Sequence, residues 1–468
     1  MATLYTERWA KVKHRTLTAL AIDDAIVFVV LTKVWLGLTG VVSIYLMVRA
    51  LSAEEQGFYY TFTSVLAVQI VFELGLAFVL AQFSAHEMVE LRESGRGRVS
   101  GSEEAKRRLY SLFWLAARWY GAIVVLAASS TVIVGRWFFT GASRTGIQWQ
   151  APWFSICVLA SVSLLLSPFL AIYEGQGHVR RIAKARFIAS IGSSLSLWVG
   201  FAAGFRLWAA VLPQLVSAAG LTAWYVLVNA DFLAEAQRYR RSAGVSWRRE
   251  IWPLQWRIAL SWLSGFLIFY LFNPILFKFQ GPAAAGRVGL TLAITGIISQ
   301  SAFSWMQTKA PTFARLVAEK RFHEMDALFR HTLRASLALL VAAYLCLIAA
   351  YGMALSLRAS FVGRIVSIEV LAMIAGASIL NHVVWSVATY LRSFKREPFL
   401  MLSVVSASSI AIGIVAAARY STIPAVFLVN LLATFLITFC GALWVFRTRR
   451  QEYQNAALGT PEMQSLVV

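Results

Sequence analysis

The sequence predicts an all-α polytopic membrane protein with twelve transmembrane helices in two six-helix halves, and the charges within those spans point to a central cavity that encloses something polar. Three observations lead there. The 468 residues are 59% hydrophobic and only 14% charged, where a soluble domain is about half apolar and about a quarter charged. Apolar runs of about 20 residues, the length that crosses the hydrocarbon core, recur along the chain. The formal charge of +21 is concentrated in short segments between those runs, as topology signals are. That placement argues against nucleic acid as the partner and for the lipid bilayer.

The N-terminal segment, 1–24, is polar and basic and reads as a cytoplasmic amphipathic piece. The first half, 25–229, carries spans at 25–48, 58–83, 109–134, 152–173, 185–204 and 207–229. Between the second and third lies a charged loop, 84–108, whose Gly-Arg-Gly-Arg centre (95–98) is expected to be flexible. A basic cytoplasmic linker, 230–252, divides the chain. The second half, 253–446, carries spans at 253–279, 284–308, 331–355, 366–390, 399–418 and 423–446. A short polar tail, 447–468, follows. Asn273-Pro274 lies inside span seven, where proline predicts a break or kink.

With both termini in the cytoplasm, about 29 Lys and Arg fall in inner segments and about nine in outer turns. The bias keeps one sign throughout, which supports the even span count. Seventeen Trp and fifteen Tyr, many near span ends, suit an aromatic belt. The first apolar run is too long for a signal-peptide core and lacks a small-residue cleavage pattern. Cys157, Cys346 and Cys440 lie far apart in apolar runs, without metal-ligand spacing, and read as small packing residues. No cofactor is implied.

Charges within spans are costly, so they face a protein interior or water. Lys33 lies near mid-depth of span one, Arg118 in span three, and Glu73 in span two. Lys33 and Arg118 are candidate substrate-binding cations, or members of structural ion pairs. Arg257 lies near the start of span seven, and Arg287 opens span eight. Arg186 and Arg334 sit near span ends and read as snorkelling side chains. Glu73 is a candidate for ion coupling or for poising the neighbouring cations. Gln69, Gln300, Asn381 and His382 are candidate polar cavity lining, although such residues also bond between helices.

Two stretches carry a resemblance. Leu51-Ser52-Ala53-Glu54-Glu55-Gln56-Gly57-Phe58-Tyr59 is followed by Phe72-Glu73-Leu74-Gly75-Leu76. In the corresponding place of the second half stands Gly281-Pro282-Ala283-Ala284-Ala285-Gly286, with Lys309-Ala310-Pro311 after span eight. These segments resemble the polysaccharide (O-antigen type) flippase branch of the multidrug/oligosaccharidyl-lipid/polysaccharide exporter superfamily. The resemblance implies a two-lobed bundle that moves a polyprenyl-diphosphate-linked glycan from inner to outer leaflet by alternating access. It implies a bacterial inner membrane, and a polysaccharide polymerase and assembly proteins as partners. Under it, Lys33, Arg118, Arg257 and Arg287 would meet the diphosphate, for which Arg offers bidentate donors and Lys a point charge.

A cation-coupled small-molecule or drug antiporter of the same superfamily is the rival, and would want acidic residues in its cavity. A membrane-embedded polymerase or ligase would want a large outer domain or an acidic pair there. The longest outer connection is about seventeen residues, and no nucleophile elbow, zinc motif or phosphate-binding glycine loop occurs. The sequence therefore does not read as an enzyme.

Overall fold

The computed structural model describes residues 24–73, 76–94, 97–140, 146–240, 245–247, 251–252, 255–256, 270–394, 396 and 398–458. The amphipathic N-terminal segment, Arg257, most of span seven, part of the linker and the end of the tail lie outside the described residues. The protein is a helical membrane bundle. Its helices are α1 (Asp24–Ala50), α2 (Ala53–Leu66), α3 (Gln69–Glu73), α4 (Leu76–Glu87), α5 (Glu103–Phe139), α6 (Gln150–Tyr173), α7 (Val179–Ala202), α8 (Val211–Val228) and α9 (Ala230–Ala236). They continue as α10 (Phe272–Gln280), α11 (Pro282–Gln307), α12 (Ala310–Ala318), α13 (Phe322–Ser356), α14 (Ile368–Arg392), α15 (Leu400–Tyr420), α16 (Ile423–Ala433) and α17 (Cys440–Leu458).

Nine helical stretches among the described residues are long and apolar enough to cross a membrane. One of them, Gln150–Ala202, runs for 53 residues. At 1.5 Å per residue that is about 80 Å, enough for two crossings. It turns at a π-helical segment, Glu174–His178, where Gly177 takes φ 95°, a conformation open to glycine. That stretch supplies spans four and five. Span two is divided into α2, α3 and α4, and span seven ends in α10.

Packing divides the chain into two units. The first comprises Met1–Ala50, Val68–Arg136 and Gln148–Ala259; the second comprises Leu51–Ala67, Trp137–Ile147 and Leu260–Val468. The start of span two therefore belongs with the second unit, although it lies in the first half of the sequence.

In the first unit α1 lies along α7. Indole N–H groups are costly to leave unpaired in lipid, and here Trp35 donates to Ser194 (3.3 Å) and Trp198 to Ser43 (2.9 Å). A core of Leu80, Leu109, Tyr110, Phe113, Tyr120 and Ile172 joins α4, α5 and α6.

The expected flexible loop 84–108 is instead ordered over its described residues. After α4 come an antiparallel hairpin, β1 (Leu91–Ser94) with β2 (Arg98–Gly101), and then α5. Charged side chains fix it. Arg108 pairs with Glu87 at 2.8 Å, and Glu93 takes His178 as a close partner with Arg181 at 3.9 Å. Composition suggested flexibility because it does not register partners supplied by the turn after α6. Span three likewise starts earlier than its apolar run: Glu103 and Glu104 occupy the first turn of α5, where acidic groups favour the helix dipole.

In the second unit α2 begins with a capping box. The Ser52 hydroxyl accepts from the Glu55 backbone N–H (3.1 Å), and the Glu55 carboxylate accepts from the Ser52 N–H (2.9 Å), satisfying helix-end donors. Asn273-Pro274 sits in the first turn of α10, where proline is tolerated, so the expected break is the start of a helix. Gly281, at φ 89°, turns the chain from α10 into α11. Phe58, Phe62, Phe139 and Phe277 are all buried and form an aromatic box, with centroid separations from 4.9 to 6.1 Å.

Candidate functional site

In the first unit two hydroxyls, one from span three and one from span four, converge on Glu73 of span two. It ends α3 and is half-buried. Its Oε1 accepts two hydrogen bonds, from Ser167 Oγ on α6 (2.6 Å) and from Tyr120 Oη on α5 (3.2 Å). Tyr120 is fully buried. Both donors to this carboxyl group are neutral hydroxyls, so neither brings a counter-charge to it. Gln69 lies four residues before Glu73, on the same helical face. It is buried, and its Nε2 has no hydrogen-bond partner in the structure.

The candidate cations are placed differently. Lys33 is exposed on α1 and Arg118 is exposed on α5. Arg118 Nε turns back to the Trp114 carbonyl at 3.2 Å, so the guanidinium is tied to its own helix. In the second unit Arg287, in the second turn of α11, is exposed, and so is Gln300 further along it. Asn381 is half-buried and His382 is 1% exposed on α14. Adjacent residues do not share a helix face, so these two serve different surroundings. His382 turns to Ser336 on α13, with Nε2 and Oγ 2.9 Å apart. Arg257 lies outside the described residues.

Sequence reasoning missed Ser167 and Tyr120. Each had a signal beside a residue already singled out: Ser167 precedes Pro168 within span four, and Tyr120 follows Arg118 by two. Hydroxyls are common in membrane helices, and without the fold nothing pointed either at Glu73. Of the cysteines, Cys157 is buried as a packing residue would be, but Cys346 and Cys440 are on exposed faces. Among the described residues no group of three His, Cys, Asp or Glu is placed to hold a metal ion.

No family model matches the sequence, and no curated protein matches it. Solved structures do match the fold. An inward-facing conformation of a multidrug resistance MATE family transporter of the MOP superfamily aligns with TM-score 0.62 and 13% identity, over 94% of this chain and all of that one. An outward-facing conformation of a multidrug resistance MATE family transporter of that superfamily aligns with TM-score 0.53 and 14% identity, over 95% and 99%. A MATE protein in its straight conformation gives 0.54 and 14%, over 94% and 98%. At these identities the likeness establishes the fold: a twelve-helix bundle in two halves. It does not reach the polysaccharide flippase branch to which the sequence segments pointed.

Proposed function

We propose that this chain is a multi-pass transporter of a cell membrane that exports a small organic molecule in exchange for a cation, by alternating access. Glu73 holds the cation. The observation that carries this reading is the Glu73 carboxylate itself, accepting from Ser167 and Tyr120. A mid-span carboxylate is costly unless it has a task or a partner, and two neutral hydroxyls leave its charge uncompensated. Gln69, one turn away with an unused amide N–H, adds a polar group on that face. The fold neighbours lend support, since they are multidrug transporters seen facing inward and outward. Nothing in this reading calls for catalysis.

A second reading keeps the flippase of a polyprenyl-diphosphate-linked glycan, for cell-surface polysaccharide synthesis, in a bacterial inner membrane with both termini cytoplasmic. It is favoured by the segments 51–59 and 72–76 and by the excess of in-span cations: Lys33, Arg118, Arg257 and Arg287 against the single mid-span acid Glu73. Under it the cations bind the diphosphate, the polyprenyl tail stays in lipid, and a polysaccharide polymerase and assembly proteins take the product.

One experiment separates the two. The purified protein is placed in liposomes with an imposed proton or sodium gradient. Movement of a fluorescent organic cation and flipping of a fluorescent polyprenyl-diphosphate oligosaccharide are followed in parallel. Gradient-driven movement of the dye, lost in Glu73→Gln, supports the antiporter. Lipid flipping without dye movement, lost in Lys33→Ala and Arg118→Ala, supports the second reading. If neither probe moves, both readings fail.

A further inference from the structure

Three spans of the second unit meet along a buried seam that the proposed function does not use. Ala302 of α11, Leu340 and Tyr344 of α13 and Ala375 of α14 form its apolar part. Polar groups run beside them. The Tyr344 hydroxyl pairs with Ser299 Oγ at 2.9 Å, donates to the Thr295 carbonyl at 3.3 Å, and also engages Ser378. One helical turn beyond Ser378 on α14 is His382.

The hydrogen accounting at His382 is informative. Ser336 Oγ donates to the Leu333 carbonyl of its own helix at 3.2 Å. Its oxygen is then the acceptor, and His382 Nε2–H is the donor across the 2.9 Å contact. That leaves Nδ1 as a bare lone pair, and it has no partner in the structure. The opposite tautomer would bury an N–H without an acceptor, which folded proteins tolerate less than an unfilled acceptor. The ring is held in place by Ser336 and by Phe303, which meets it edge-on at 6.1 Å.

Among the described residues no charged group is bonded to the ring. On α14, the next titratable side chain is Tyr390, eight residues or about 12 Å along the helix, and it is bonded to Asp326 of α13, which pairs with Arg450 of α17. Arg334 on α13 and Arg287 on α11 are exposed, as is Cys440 at the start of α17. Arg315 on α12 faces Glu319 at 3.8 Å. Tyr344 is committed to the bonds above.

We propose that His382 Nδ1 is a proton-binding site of the second unit, separate from Glu73 in the first. A hydronium entering the seam gives its proton to the Nδ1 lone pair and leaves as water. Nε2 keeps its hydrogen, and the ring becomes imidazolium. A cation against the Phe303 ring at this buried position is costly without water or a counter-charge, so proton binding is linked to a parting of α13 from α14 that hydrates the ring. Histidine suits this because it changes charge near neutral pH. The inference does not depend on what the protein carries.

The test is nitrogen NMR on full-length protein labelled at its six histidines, in lipid nanodiscs, from pH 8 to pH 5. His382→Gln identifies the signal. Where that variant does not fold, Ser336→Ala identifies it through the altered Nε2 resonance. The expected result is an unprotonated Nδ1 at pH 8 that gains its proton within this range, with a midpoint displaced in Ser336→Ala. A Nδ1 already protonated at pH 8, one still bare at pH 5, or a titration unchanged by Ser336→Ala overturns the proposal.

Discussion

Gln56 Nε2 donates to the carbonyl of Gly286 at 2.7 Å, joining α2 to α11. The two residues belong to the two short segments that correspond between the halves of the sequence, 52–57 and 281–286. Within the second unit these segments lie directly on one another. Such closeness needs residues without side chains. A methyl on Gly57 would overlap the Pro282 carbonyl, and one on Gly286 would lie 2.6 Å from the Ala53 carbonyl. Gly57→Ala and Gly286→Ala are therefore each expected to lower stability by about 1–3 kcal/mol, the usual cost of overpacking. Thermal unfolding in detergent would register it as a lowered Tm. Gly296→Ala on the same helix meets no atom within 4 Å, and alanine's better helix propensity should hold Tm or raise it.

The hydroxyls at Glu73 make a graded prediction. Ser167→Ala removes the 2.6 Å bond and Tyr120→Phe the 3.2 Å bond. Hydrogen bonds to charged groups are worth about 1.5–3 kcal/mol. If that free energy supports the cation-bearing state, transport in liposomes should fall about tenfold or more in Ser167→Ala, less in Tyr120→Phe, and most in Glu73→Gln. Wild-type rates in both hydroxyl variants would remove Ser167 and Tyr120 from the mechanism.

Much of this architecture was legible in the sequence, because apolar length and basic connections report directly on spans. The β hairpin was not. Its order comes from Glu93 meeting His178 and Arg181, residues about 85 positions further on, and composition over 84–108 carries no trace of them. The allocation of residues 51–67 to the second unit was also hidden. The sequence marked 52–57 and 281–286 as similar, but similarity does not say that two segments touch. Glu73, by contrast, stood out as a lone mid-span acid, while its hydroxyl partners had to be found in three dimensions.

Acid should loosen the start of α5 in a defined window. Glu103 is held below its ordinary pKa of 4.5 by a hydrogen bond from Lys106, with the Tyr239 hydroxyl next. Both contacts are short, at 2.8 and 2.9 Å. A group whose folded pKa is depressed stabilises above its unfolded pKa, and that contribution fades as pH falls through the folded value. The carboxylate is exposed, so the effect is small. Comparing wild type with Glu103→Gln, the difference in Tm should be present at pH 7 and fade as pH falls through the folded-state pKa, which lies below 4.5. A difference that does not shrink with acid would mean the glutamate acts through shape and not through charge.

Asp326 and Arg450 make the strongest expected difference between two basic residues. Arg450 Nε reaches Asp326 Oδ1 at 3.2 Å while Nη2 contacts Oδ2, so the guanidinium grips both oxygens. Tyr390 Oη donates to the same Oδ1 at 2.6 Å, and Gln454 Nε2 donates to Tyr390 Oη at 2.9 Å. Three helices, α13, α14 and α17, are thereby tied through one carboxylate that is largely buried. A lysine supplies charge but not the planar fork. Arg450→Lys should therefore lose most of what Arg450→Ala loses, about 1–3 kcal/mol, and Asp326→Asn should do the same by leaving the guanidinium with a neutral partner. Hydrogen exchange would locate the damage: amides at the end of α17 should exchange faster in all three variants, with α15 unaffected. Full protection of α17 in Arg450→Lys would show that charge alone holds the tie.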